Sequence, residues 1–326
     1  MIIGIHATVD LAFKMMLGSP EHSAITVHFL NAVLGGSTRI QQATILNPFL
    51  GNTAEDDKLS ILDIKAQDDR GRWINIEMQT SLAAGLVQRL TYYASRLYAD
   101  QLGQGQPYKS LCPAISICVL QKAAFPDLPQ LHLDFRLRER GGDLLSDDLQ
   151  IHLIELPKLR LGAHNIHEAS PLERWAFLFL NAHRIDMDEL RCLLPDPEIG
   201  AAMEVLEMIS RTPETRDVYE ARLKAQRDAE AQLDYALTEG LAKGHAEGLA
   251  KGHAEGLAKG HAEGLVKGRA EGRAEGEQIG QIRQLQRLLR IAQTSPDELS
   301  QVPRAERLVK IEELERQLEE RGESDR

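Results

Sequence analysis

The sequence has no apolar run approaching the ~20 residues that span a bilayer, and no basic N-terminal stretch leads into a long apolar one. Neither a membrane protein nor a secreted precursor is expected, and the chain reads as soluble and cytoplasmic. It has only three cysteines, Cys112, Cys118 and Cys192. Their number is odd and their spacing suits no metal, so they read as buried thiols in a reducing compartment. An excess of positive charge is missing as well: the formal net charge is -11, which argues against whole-surface attraction to nucleic acid. Local patches remain open, because acids and bases roughly balance up to about residue 125 and much of the acid lies in the C-terminal half. No helix-turn-helix or zinc-ligand pattern is present.

What is present is enough apolar residue, 43% of 326, to bury a large core in one main domain with appendages. Residues 8–17 fit a short buried helix stopped by Gly18. Ser19, Pro20 and Glu21 supply an N-cap, a first-turn proline and a first-turn acid for a second helix, which Gly35 and Gly36 end. Strands are expected at 59–66 and 72–79, a long helix at 82–102, and further strands at 114–120, 131–135 and 150–156. This order predicts an α/β fold with a mixed sheet flanked by helices. From about residue 168 the pattern turns helical, with Trp175 and Phe177 in an almost wholly apolar segment. The expected organisation is a core at 1–168, a helical extension at 169–238, a repeat at 239–276 and a helical C-terminal segment at 277–326.

The repeat is the octapeptide LAKGHAEG, three times intact from Leu241 and once degenerate as LVKGRAEG. It has no proline, and Glu239/Lys243, Glu247/Lys251 and their successors are i,i+4 pairs in the favourable order. Against these stands glycine at every fourth position from Gly240 to Gly276. Each costs ~1 kcal/mol relative to alanine, whereas an ion pair returns ~0.2–0.5. A marginal helix follows, stable where its glycine ridge packs on another helix such as one from a second subunit. His245, His253 and His261 invite a metal reading, but eight helical residues are ~12 Å of rise and ~80° of rotation, too far for two to share an ion. Beyond the repeat, apolar residues around Ile282 and around Ile311 each line one helix face.

The chemistry lies in LDIKAQDDRGRWINIEMQ, residues 62–79. Alternate strand residues share a face, so Asp63 and Lys65 point together, as do Trp73, Asn75, Glu77 and Gln79. With a turn near Arg70 and a positive φ at Gly71, residues whose numbers sum to 140 pair: Asp63 faces Glu77, and Lys65 faces Asn75. Opposed carboxylates repel unless water screens them or a cation sits between them. Mg²⁺ takes oxygen ligands and keeps positions for water and phosphate. Such a site suits phosphodiester hydrolysis, with Lys65 or Gln79 orienting water or touching the phosphate. The plain alternative is a hairpin whose polar face is solvated.

Six blocks in order, VDLAFKMMLG at 9–18, FLNAVLGG at 29–36, residues 62–79, QRLTYYASRLYADQL at 88–102, PYKSLCPAISICVL at 107–120 and IELPK at 154–158, together resemble the Rpn-type recombination-promoting nucleases, also described as PD-(D/E)XK nuclease family transposases. The resemblance implies a restriction-endonuclease-like core and cleavage of DNA with Mg²⁺ or another divalent cation such as Mn²⁺ or Ca²⁺. It makes Asp63 and Glu77 the strand acids and puts Gln79 where the superfamily usually has lysine. Lys65, on the same face, is a candidate replacement. Asp10 matches an acid that can assist at the metal, or is a helix N-cap. Arg89 and Arg96, seven apart on the long helix, and Lys109 are candidate DNA contacts. Tyr92, Tyr93, Tyr98, Phe13 and Trp175 read as packing groups. The competing reading is a non-catalytic interaction protein with a degenerate nuclease core, self-associating through its C-terminal helices.

Overall fold

The computed structural model describes residues 1–36, 39–47, 64–82 and 84–324. Asp63 and residues 59–62 of the first expected hairpin strand lie outside the described residues. The chain divides into two compact units, Met1–Asp234 and Tyr235–Arg326.

In the first unit the described strands form one sheet in the order β1 (Ala43–Ile45), β2 (Ile64–Asp68), β3 (Trp73–Gln79), β4 (Ala114–Leu120), β6 (Leu144–Glu155) and β5 (His132–Arg138). β3, β4 and β6 run parallel, and the outer pairs are antiparallel. β4 is buried along its whole length, as a central parallel strand with both faces covered requires. β5 and β6 are longer than the expected 131–135 and 150–156, because they form one hairpin whose tip is exposed.

Helices cover both faces. On one, α1 (Asp10–Leu17), α2 (Ser23–Leu34), α4 (Pro171–Asn181), α5 (Met187–Leu193) and α6 (Pro197–Arg211) enclose the main core. At its centre Phe13, Phe29, Trp175 and Phe179 pack ring to ring, with centroids 5.6–6.0 Å apart. Phe13 and Trp175 are fully buried, as their apolar surroundings in sequence required. α4 starts on a capping box, Ser170 with Glu173. α1 ends at Gly18, where an added Cβ would lie 2.8 Å from the Lys14 carbonyl oxygen and 3.2 Å from Ile64 Cγ1, so only glycine lets helix and strand approach this closely. On the other face α3 (Leu86–Ala99) sets Leu86 and Leu90 on Cys118, Leu120 and Leu153. It starts later than the expected 82, behind Gly85 at φ 79°. The second expected helix also starts late, because Pro20–His22 form a separate 3₁₀ turn and Ser19 makes no side-chain cap.

α7 (Pro213–Leu289) contributes to both units. In the first, Tyr219 is fully buried and its hydroxyl accepts from the His6 amide at 2.8 Å. In the second, α7 is helical through the whole repeat. An added Cβ at any glycine from Gly240 to Gly280 would meet nothing within 4 Å, so the packing partner expected for the ridge is not among the described residues. The ion pairs there are Lys251–Glu255, Lys259–Glu263 and Lys267–Glu271 at 3.9–4.0 Å, the reverse of the expected order. α8 (Pro296–Ser300) and α9 (Arg304–Ser324) follow. Ile282, Leu285, Leu289, Leu299, Ile311 and Leu314 form a separate core, and the buried Arg307 ties α9 to α7 through Glu275 at 2.6 Å and Gln278 at 3.2 Å.

Candidate active site

The β2–β3 hairpin sets the geometry. Its described pairs are Ile64↔Ile76, Lys65↔Asn75, Ala66↔Ile74 and Gln67↔Trp73, each summing to 140. Gly71 takes φ 76° in the turn. Asp68, buried at the end of β2, fixes that turn by accepting from the Arg70 and Arg72 amides at 3.1 and 2.9 Å and from Arg72 Nε at 2.7 Å.

On β3 Ile74, Ile76 and Met78 enter the main core, while Asn75, Glu77 and Gln79 face the α3 side. Glu77 is 3% exposed. Its Oε1 accepts from Asn75 Nδ2 at 2.6 Å, and across the parallel pair it lies opposite Cys118, with Ser116 opposite Asn75. A carboxylate in such surroundings is costly unless hydrogen-bonded or paired. Two buried oxygens here, Asn75 Oδ1 and Ser116 Oγ, have no hydrogen-bond partner among the described residues. Neutral oxygens with spare lone pairs beside a carboxylate fit the donor set of a hard divalent cation. The residues present therefore fit the metal that such a site needs, although among the described residues no three His, Cys, Asp or Glu side chains come together at metal-binding distance. Sequence alternation gave the face, but not that Asn75 and Ser116 would be left with unpartnered oxygens.

The other predicted residues are distributed as follows. Gln79 Oε1 accepts from Arg89 Nη2 at 2.6 Å. Lys65 Nζ lies 4.3 Å from the centroid of the Trp73 ring, a cation–π contact directed away from Glu77 along the strand. Asp10 is the first residue of α1 and pairs with Lys14 at 3.2 Å; Val9 holds the cap position, so the N-cap alternative is corrected. Asp10 also lines a cavity of about 340 Å³ with Thr8, Thr80, Ser81, Arg222 and Gln226, just beyond the end of β3. A larger cavity of about 500 Å³ between α2 and β1 contains none of the predicted site residues. Arg96 pairs with Asp100 and contacts the Tyr92 hydroxyl, both at 3.3 Å, and Lys109 is exposed in a turn. Tyr92, expected to pack, is exposed beside Tyr93. Of the cysteines only Cys118 is buried; Cys192 is exposed on α5, where the short helix leaves one side to solvent.

A second polar group escaped the sequence reading. On β5 and β6, His132 Nε2 and His152 Nδ1 are 2.9 Å apart, and Asp134 lies 3.9 Å from His152 Nε2. Burial pushes the His152 imidazole down to about 4. The sequence signal was a polar residue at every second position of both strands, His132, Asp134 and Arg136 opposite Gln150 and His152.

No curated protein and no solved structure matches this chain. A family model does match, over residues 7–236, which span the sheet, its covering helices and the first turns of α7. The paired hairpin strands, the buried acid on the second of them and this match agree, and the chain belongs to the PD-(D/E)XK nuclease family transposases.

Proposed function

We propose that the protein is a divalent-cation-dependent DNA endonuclease of low sequence preference, linked to recombination or mobile elements, with Asp63 and Glu77 as its paired carboxylates. The observation that carries this reading is Glu77, buried at the end of a hairpin whose described pairs keep the register in which residue 63 is its partner. Mg²⁺, Mn²⁺ or Ca²⁺ when bound supplies an activated water and offsets charge growing on the phosphate. Asn75 holds Glu77 in orientation through the 2.6 Å hydrogen bond. Gln79, two residues along the same face, would touch water or phosphate.

Purified protein, plasmid DNA and Mg²⁺ test this, with EDTA and the variants Glu77→Ala and Asp63→Ala alongside. Nicking by wild type that EDTA and both substitutions abolish is expected. Equal nicking by all three proteins would assign the activity to a contaminant and remove this site.

A second role is favoured by the repeat. Leu241, Leu249, Leu257 and Leu265 are all exposed on α7, next to the glycine ridge. We infer that the C-terminal helices join copies of the chain. A protein that self-associates but never cuts DNA would leave this as its main function.

A further inference from the structure

We propose that Arg89 is the phosphate-binding cation of this site, reaching in from α3 to replace the strand lysine that position 79 lacks. The proposal rests on the nuclease reading above. Arg89 Nη2 donates to Gln79 Oε1 at 2.6 Å, so the guanidinium sits at the motif position itself. Its Nε is buried and has no hydrogen-bond partner among the described residues.

In charge balance Arg89 differs from several other arginines, although Arg184 and Arg283 are also held by neutral amides. Arg72, Arg136, Arg174 and Arg191 each meet a carboxylate at 2.7–3.0 Å. Arg89 is held by a neutral amide, and among the described residues no carboxylate lies within 4.0 Å of it. A guanidinium has five N–H donors in a planar fork, and its best partners are carboxylates and phosphates, which it binds through two parallel hydrogen bonds. Partly buried and, among the described residues, without a carboxylate partner, Arg89 retains the capacity to bind an anion. Leu86 and Leu90, on either side of it in α3, are buried against β4 and β6 and fix its approach. The bond to Arg89 uses the Gln79 carbonyl, and among the described residues no acceptor is shown for its amide N–H groups, which would point at the same phosphate. Lys65, the candidate on the neighbouring strand, rests its ammonium over Trp73.

In the reaction a water oxygen forms a bond to phosphorus as one phosphorus–oxygen ester bond breaks. The attacking water loses a proton to solvent and the departing oxygen gains one from solvent. Arg89 keeps all its protons throughout and donates hydrogen bonds to a non-bridging oxygen whose charge grows in the transition state.

Two measurements on the full chain test this: steady-state cleavage of a DNA duplex with Mg²⁺, and binding of the same duplex in EDTA by fluorescence anisotropy over a range of salt. Arg89→Ala is expected to lower kcat by about 100-fold and also to raise KM, because the phosphate contact is made in the ground state as well. In EDTA it should reduce the slope of log affinity against log salt by about 0.9, one phosphate contact. Adding Gln79→Lys to Arg89→Ala returns a cation to the strand and should recover about tenfold or more of the lost kcat. Arg89→Lys keeps the charge and serves for the comparison should the alanine variant melt below wild type. Wild-type kcat and salt slope in Arg89→Ala would overturn the proposal. Cleavage unaffected by Glu77→Ala, together with an altered salt slope in Arg89→Ala, would instead overturn the nuclease reading and leave the phosphate contact standing.

Discussion

Glu77 and Arg89 differ in how far the sequence reveals them. The face of Glu77 is legible because strand alternation and a glycine turn fix it, and the described pairs follow the expected register, while its expected partner, residue 63, lies outside the described residues. The Arg89 contact to Gln79 is not legible, because helical spacing assigns a residue to a face but does not say which strand residue that face meets. His152 escaped because alternation gives a strand residue's face but not its partner on the next strand. It is 1% exposed, and burial holds its pKa at about 4, an effect only partly offset by the Asp134 carboxylate. His132, its hydrogen-bond partner, is lowered as well, again by burial. The unfolded imidazole titrates near ~6.5. Between these values the unfolded chain holds a proton that the folded chain does not. Stability present above about pH 6.5 is therefore lost as pH falls toward 4, by roughly 2 kcal/mol at pH 5. Urea unfolding of wild type and His152→Gln at pH 7 and 5 checks this; the variant should show a clearly smaller difference between the two pH values.

The elements the sequence marked most plainly are those with a strict period or a dedicated stop, such as β3, β4 and α1. The hairpin of β5 and β6 was underestimated because its exposed half carries no apolar alternation to read. In α7 propensity and outcome diverge. The glycines cost helix stability and the observed ion pairs are long and exposed, yet the helix is continuous. Replacing Gly248, Gly252, Gly256 and Gly260 with alanine introduces no clash within the chain. Each should stabilise the helix by ~1 kcal/mol, raising the temperature at which helical circular dichroism is lost. If the ridge is where copies meet, the four methyl groups also push the partner away. Light scattering should then give a lower mass for the variant than for wild type, and an unchanged oligomeric mass would move the contact elsewhere.

Across the whole molecule, the division at Asp234 and Tyr235 separates an aromatic-centred sheet unit from a small helical unit with its own apolar cluster. Residues 1–234 produced alone should keep the Trp175 environment. Its fluorescence transition is expected within about 2–4 °C of that in the full chain, and failure of the fragment to fold would show that the two units depend on each other. The sequence showed the change to uniform helical periodicity at about residue 168 and the start of the repeat at 239. The division lies at 234, because helices after 168 bury Trp175 and Ile199 in the same core as the sheet, and a single helix runs across it. That continuity has a bearing on heredity. Identical octads in tandem invite copy-number change by slippage, and a helix made of them accepts one more or one fewer without a broken turn. Each such event would lengthen or shorten that helix by about 12 Å.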